Sequence, residues 1–379
     1  MTQAQKKQGR AYEIDYLRIF LTILVILHHV AIAFGGQGHF VIGVKDSPPL
    51  VGLALTLFLE VNQSFFMGLY FAVFGYFTEG SLHRQSEKGE GAKVPFIRKR
   101  FKRLVVPALI FYLVVTPVVK ALVNGLYLGK GVLRYEVGFG VTWFLLALFL
   151  FDSLYALLRP NGEVTTTTPP KIKQLVGLFL GVGLVTGLVR MVYPVGSGLA
   201  FLEFQPAHFA QYICAYGLGV MAQRHKWYEE IPLAYGRRFG KHFALLLVAL
   251  FGGLGLALAN GQPVEVAMGG GSLTSFGLAV WEQMVFLVLT LGLLSYFRGH
   301  LSGKNPWGQK LGGVTFEAYY IHTGVIVGVV MVTQTLDFGL QLLTVSVLSV
   351  ALSLGLPLAW KWLGSRFKSL QQSRQTGRP

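Results

Sequence analysis

Residues 13–36 read Glu-Ile-Asp-Tyr-Leu-Arg-Ile-Phe-Leu-Thr-Ile-Leu-Val-Ile-Leu-His-His-Val-Ala-Ile-Ala-Phe-Gly-Gly, and this stretch decides the fold. After Arg18 the run is long and apolar enough to cross a bilayer, which takes roughly 20 predominantly apolar residues. Yet Asp15 and Arg18 stand at its start, and His28 and His29 lie inside it. At about 100° per residue, the steps from Arg18 to His29 return almost to the starting angle. Asp15, Arg18, Thr22 and His29 therefore share one polar stripe on an otherwise apolar helix, and His28 points about 80° away. Arg18 and His29 are about 17 Å apart along such a helix, so an Arg at the membrane surface puts His29 near mid-depth. Ionisable groups at that depth are costly and face a bundle interior or a wet cavity. The plain alternative for each histidine is a hydrogen bond to a neighbouring helix, and it weighs more for His28 than for His29.

Working outward, further apolar runs fall near 50–78, 104–124, 141–158, 174–193, 207–222, 242–260, 274–297, 312–334 and 338–363. With the first run these predict an all-α, polytopic membrane bundle of about ten transmembrane helices. The run at 207–222 is the weakest, being short and carrying Gln211, Tyr212 and Tyr216. The run at 50–78 is long enough to predict a tilted or broken helix. Composition agrees: 53% of the 379 residues are hydrophobic and 13% charged, against about 25% charged in soluble domains. The single cysteine, Cys214, excludes an internal disulfide and a cysteine-cluster metal site. No cleavage site of the signal-peptide kind follows the basic start Met1 to Arg10.

The net charge of +16 is topological. With the N-terminus placed inside, 28 of the 33 Lys and Arg residues fall on inner segments and 5 (Lys45, Lys120, Lys130, Arg134, Arg190) on outer ones. That is the positive-inside bias, with both termini cytoplasmic. Contact with anionic membrane lipids fits the excess charge. Nucleic-acid binding does not, because no recognisable binding motif accompanies the basic residues. Thr165-Thr-Thr-Thr-Pro-Pro170 reads as an inner linker and Gly269-Gly-Gly-Ser272 as an outer one. No internal repeat is visible, which weighs against an inverted-repeat transporter. Residues 1–365 form one membrane domain, and 366–379 read as a basic, disordered cytoplasmic tail.

Several polar residues within the runs are candidates for chemistry. Glu60, Asn62, Gln63 and Ser64 imply a lined cavity or interhelical hydrogen bonds, and the carboxylate of Glu60 is the hardest to hide. Glu282, between Trp281 and Gln283, is a second candidate cavity carboxylate. Arg100 and Arg103 are three apart, so on a helix they share nearly one face. Paired guanidiniums suit phosphate, although a juxtamembrane anchor explains them on charge alone. Thr315, Tyr319 and His322 fall on one helical face, with Glu317 elsewhere on the wheel. Asp152 reads as a wetted inner-end carboxylate, His208 as a solvated loop histidine and Trp143 as an interfacial anchor. Metal is not expected: His28 and His29 point apart, and no second histidine stands at ligand spacing.

Four blocks resemble the acyltransferase family 3 membrane proteins, in the same order. They are Asp15-Tyr-Leu-Arg18 with Arg18-x10-His29; Phe65-Phe-Met-Gly-Leu-Tyr-Phe-Ala-Val-Phe-Gly-Tyr76; Arg100-Phe-Lys-Arg103; and Thr315-Phe-Glu-Ala-Tyr-Tyr-Ile-His322. Trp143-Phe-Leu145 also recurs in that family. Phe74 stands where the family usually has Ser, and Phe316 where it has Tyr. The resemblance implies O-acyl transfer across the membrane, from a cytoplasmic acyl thioester such as acyl-CoA to a hydroxyl of an extracytoplasmic glycan or similar acceptor. It implies no permanently bound cofactor and a setting in the cytoplasmic membrane of a bacterium. In that light His29 is the expected general base. Arg18 orients the donor or stabilises negative charge, and Asp15 positions Arg18. Arg100 and Arg103 hold the donor's phosphates, while His322, Tyr319, Glu60 and Glu282 line the substrate cavity. The rival reading is a proton-coupled secondary transporter using the same buried charges.

Overall fold

The computed structural model describes residues 12–44, 47–87, 91–130, 135–159, 167–199, 202–303 and 305–376. The basic start Met1 to Arg10, the outer cations Lys45 and Arg134, Thr165 and the last three residues lie outside the described residues. The described residues are predominantly helical, and no β-strand occurs among them. In chain order the helices are α1 (Tyr12–Ala33), α2 (Pro49–Ser86), α3 (Lys93–Tyr127), α4 (Gly140–Leu158), α5 (Ile172–Val192), α6 (Phe209–Arg224), α7 (Ala234–Ala259), α8 (Leu273–His300), α9 (Pro306–Gly312), α10 (Thr315–Val332) and α11 (Phe338–Thr376).

Among the described residues nine helices are long and apolar enough to cross a membrane. With the shorter α6 this is the expected bundle of about ten. α2 is neither broken nor confined to the apolar run. It continues as one helix for 38 residues, about 57 Å at 1.5 Å per residue, longer than the hydrocarbon core is thick. The segment from residue 366, read as the cytoplasmic tail, continues α11. α11 remains helical to Thr376, because its Ser, Gln, Lys and Arg residues are acceptable helix formers continuing an established helix.

The chain forms two compact units, Met1–Thr56 with His300–Pro379, and Leu57–Gly299. In the first, α1 packs against α9, α10 and α11, and α10 packs along α11. Val314, Ala318 and Leu354 form a buried apolar cluster there, flanked by Ile23, Leu311, Val350 and Leu358. Two glycines one turn apart on α9 allow a close approach to α1. A methyl at Gly308 would meet the Tyr16 ring at 2.5 Å, and one at Gly312 would meet Cβ of Asp15 at 3.0 Å. This bare stripe holds the start of α1 in place.

In the second unit, α3 packs on α4 and α5 on α6. α6 meets α2 backbone to backbone: a methyl at Gly219 would fall on the Ala72 carbonyl. Small residues permit such approach where lipid removes the hydrophobic drive between helices. α4 starts where the Glu203 carboxylate accepts the backbone N–H groups of Phe139 at 3.1 Å and Gly140 at 2.6 Å, an acid at a helix N-terminus. Within α3 the hydrogen-bond ladder widens to i→i+5 at Phe101–Val105, Phe111–Val115 and Val123–Tyr127. Pro107 and Pro117, which cannot donate to the ladder, sit just after the first two of these turns.

Candidate active site

The first unit gathers the sequence candidates of α1 and α10. Asp15, buried, lies 3.5 Å from Nη1 of Arg18. Nη2 of Arg18 donates to Oγ1 of Thr315 at 2.8 Å, and Thr315 passes its own proton to the Gly312 carbonyl at 3.2 Å. Thr22 is fully buried and bonds back to the Arg18 carbonyl at 2.8 Å. The guanidinium fork is thus fixed on two sides, by a carboxylate one turn earlier and by a hydroxyl from α10.

Deeper in the unit, Nδ1 of His29 is 2.9 Å from the Val25 carbonyl and 3.2 Å from Nε2 of His322. The two rings lie 4.9 Å apart between centroids, tilted by 47°. His322 is fully buried, and its Nδ1 sits 2.5 Å from the Tyr319 carbonyl. His29 is only half-buried, with Phe40 5.2 Å away and His28 edge-on at 5.6 Å. The hydrogen bonds decide the tautomers. A carbonyl only accepts, so the Tyr319 contact puts the proton of neutral His322 on Nδ1 and leaves its Nε2 as acceptor. The Val25 contact puts the His29 proton on Nδ1, where His322 shares it. Nε2 of His29 then carries a bare lone pair.

Tyr319 is buried, its ring 5.8 Å from that of His322. The expected shared face of Thr315, Tyr319 and His322 is therefore the buried face of α10. Glu317 pairs with Lys361 of α11 at 2.7 Å, away from the histidines.

The second unit holds the other candidates. A widened turn begins between Arg100 and Arg103, at Phe101–Val105. Arg100 turns inward, with Nε 3.0 Å from Oδ2 of Asp152 and Nη2 donating to Thr78 at 3.0 Å. Arg103 is exposed. Asp152 is not wetted: it is fully buried and also accepts from Thr78 at 2.7 Å and Tyr216 at 2.8 Å. A carboxylate can be buried when two hydroxyl donors and one opposite charge replace its water. Arg159 at the end of α4 grips Glu79 of α2 in bidentate fashion at 2.9 and 3.1 Å, and Tyr155 adds a third bond at 2.5 Å. Those Glu79 contacts raise the Arg159 pKa further above its already high value.

Glu282 is buried and paired with Arg190 at 2.7 Å. Arg190, which the charge map treats as an ordinary outer cation, is 0% exposed. His208 is not solvated either. It is buried, its Nδ1 3.5 Å from Nη2 of Arg190. Gln211 bonds Gln283 at 3.1 Å and the Ser64 carbonyl at 2.9 Å, and Gln63 bonds the Tyr212 hydroxyl at 2.9 Å. Glu60 is half-buried on α2, within electrostatic reach of Glu282 and Arg190. Trp143, half-buried near the start of α4, stacks on Tyr212 at 6.0 Å and 24°. Arg190 was missed as a site residue, yet a signal existed: a cation in the last turn of one apolar run and a carboxylate inside another must compensate each other. Among the described residues no group of three or more His, Cys, Asp or Glu side chains is arranged to hold a metal ion.

Comparison with known proteins gave one result. No curated protein and no solved structure matches the chain. The family described as "Acyltransferase domain", acyltransferase family 3, matches residues 11–360, from the first turn of α1 to the end of the membrane part of α11. That span contains both histidines, the Arg18 clamp and every buried ion pair described above, and the chain is a multi-pass membrane acyltransferase belonging to this family.

Proposed function

We propose that the protein moves an acyl group from a cytoplasmic acyl thioester, acyl-CoA, to a hydroxyl of an extracytoplasmic carbohydrate or similar acceptor, in the cytoplasmic membrane of a bacterium. The observation that carries this reading is the bare Nε2 of His29, whose tautomer is held by Val25 and His322. The acceptor hydroxyl gives its proton to Nε2 as its oxygen attacks the thioester carbonyl. The tetrahedral intermediate then collapses, the C–S bond breaks, and the thiolate takes the proton back from Nε2. General base help of this kind is worth typically 10²–10⁴-fold. While the ring carries the extra proton, its Nδ1–H still points at two acceptors, which disperse the charge.

Arg18 is pre-set between Asp15 and Thr315 and supplies a fixed positive charge for the donor or for the developing oxyanion. Arg103 provides the principal contact to the donor's phosphates. Arg100, with its fork turned to Asp152 and Thr78, anchors the turn that presents Arg103. Tyr319 fixes His322 through its carbonyl, and Glu60 and Glu282 belong to the acceptor's side of the chemistry.

The test uses purified protein in lipid nanodiscs with acetyl-CoA and a hydroxylated acceptor, following release of free thiol. Wild type is expected to release thiol in step with ester formation, and His29→Ala to lose both. Equal transfer by His29→Ala overturns the reading.

A further inference from the structure

The buried cluster around Arg190 carries an unmet demand. Arg190 is 0% exposed, yet only its Nη2 has partners, and its Nε and Nη1 have no hydrogen-bond partner. Buried guanidinium N–H groups left without an acceptor are costly, and such a group in a native fold calls for a water or ligand oxygen. Nε and Nη1 do not share an edge of the guanidinium, so they call for two separate oxygens rather than one carboxylate gripped by a fork.

The charges around the cluster select what those oxygens belong to. Glu282 already neutralises Arg190 at 2.7 Å, and Glu60 adds a second carboxyl nearby. His208 presents its Nδ1 to the guanidinium and is thus held as an acceptor there. A further anion would meet two carboxyls against one cation. A neutral polyol meets no such opposition: its hydroxyl oxygens accept from Arg190, and its hydroxyl protons go to carboxylate oxygens. The half-buried Glu60 and Gln63, three residues apart on α2, give the cluster its accessible side.

We propose that Arg190, paired with Glu282, forms a subsite for a neutral, hydroxyl-rich acceptor and discriminates against acidic sugars. This rests on the acyl-transfer reading for its biological meaning, but binding tests it without turnover.

The experiment measures binding by wild-type protein in nanodiscs, using maltotetraose as neutral probe and tetragalacturonate as acidic probe. Arg190→Lys keeps a cation beside Glu282 but cannot supply Nε and Nη1. Arg190→Met combined with Glu282→Leu removes the pair without leaving a lone buried charge, and guards against simple misfolding. Both variants are checked by size-exclusion profile and thermal melting. The expected result is maltotetraose binding by wild type, at least tenfold weaker tetragalacturonate binding, and about tenfold or greater loss of maltotetraose binding in folded Arg190→Lys. Equal or tighter binding of the acidic probe, undiminished binding by the variants, or no binding of either probe to wild type (the donors then serving water only) overturns the proposal. The acyl-transfer reading fails separately, on thiol release that does not depend on His29.

Discussion

Nδ1 of His29 and Nε2 of His322 lie 3.2 Å apart, although 293 residues separate them in sequence. The contact joins the first membrane helix to one near the end of the chain. It turns two histidines that read as independent buried rings into one hydrogen-bonded pair with assigned tautomers. His29→Ala is therefore expected to lower kcat by about 10²–10⁴-fold. His322→Ala, which removes only the orienting acceptor, is expected to lower kcat by about tenfold or more while leaving the donor KM near wild type. Steady-state thiol release in nanodiscs measures both. A His322→Ala enzyme with wild-type kcat would show that the pair does not position the base.

Arg18 is held from two directions, so its shape counts as well as its charge. Arg18→Lys keeps the charge but cannot reach Asp15 and Thr315 together as the fork does. Its kcat/KM is expected to fall about tenfold, and Thr315→Val, which loses one bond to a charged group, by a similar or smaller factor. Kinetics at saturating acceptor check both. Arg18→Lys with unchanged kcat/KM would mean that the clamp is structural.

The Arg100–Asp152 pair offers a stability test. Asp152→Ala leaves the Arg100 guanidinium facing a buried gap and is expected to destabilise the protein by about 3–5 kcal/mol. Arg100→Met combined with Asp152→Leu is expected to recover most of that loss. Thermal unfolding in one fixed detergent orders the three proteins. Donor affinity adds a second reading: Arg103→Ala is expected to raise the donor KM more than Arg100→Met/Asp152→Leu does.

The α2–α6 contact predicts a sharp difference between two glycines of one helix. Gly219→Ala forces a methyl onto the Ala72 carbonyl and is expected to cost about 1–3 kcal/mol or more. Gly217→Ala faces open space and is expected to be neutral or to stabilise by up to about 1 kcal/mol through helix propensity. Melting curves of the two variants, expressed in parallel, decide it.

Much of this protein is legible in the order of its residues. Hydropathy and the bias of Lys and Arg fix a polytopic helical bundle, because a bilayer admits few ways to satisfy a backbone. Rotation along α1 put Asp15, Arg18, Thr22 and His29 on one stripe, and the same rule put Thr315, Tyr319 and His322 on one face of α10; the structure brings the two sets together through Arg18–Thr315 and His29–His322. Spacing does not show where a helix departs from regular geometry: a widened turn begins between Arg100 and Arg103, and no residue type announces such a turn unambiguously. Spacing also failed to reveal the partners of Asp152, His208 and Arg190. Each sits near a helix end, where sequence allows either water or a buried counter-charge. Only tertiary packing chose, by setting Arg100 against Asp152, and Glu282 and His208 against Arg190. Segments and faces follow from local periodicity, whereas a buried charge depends on a partner tens or hundreds of residues away.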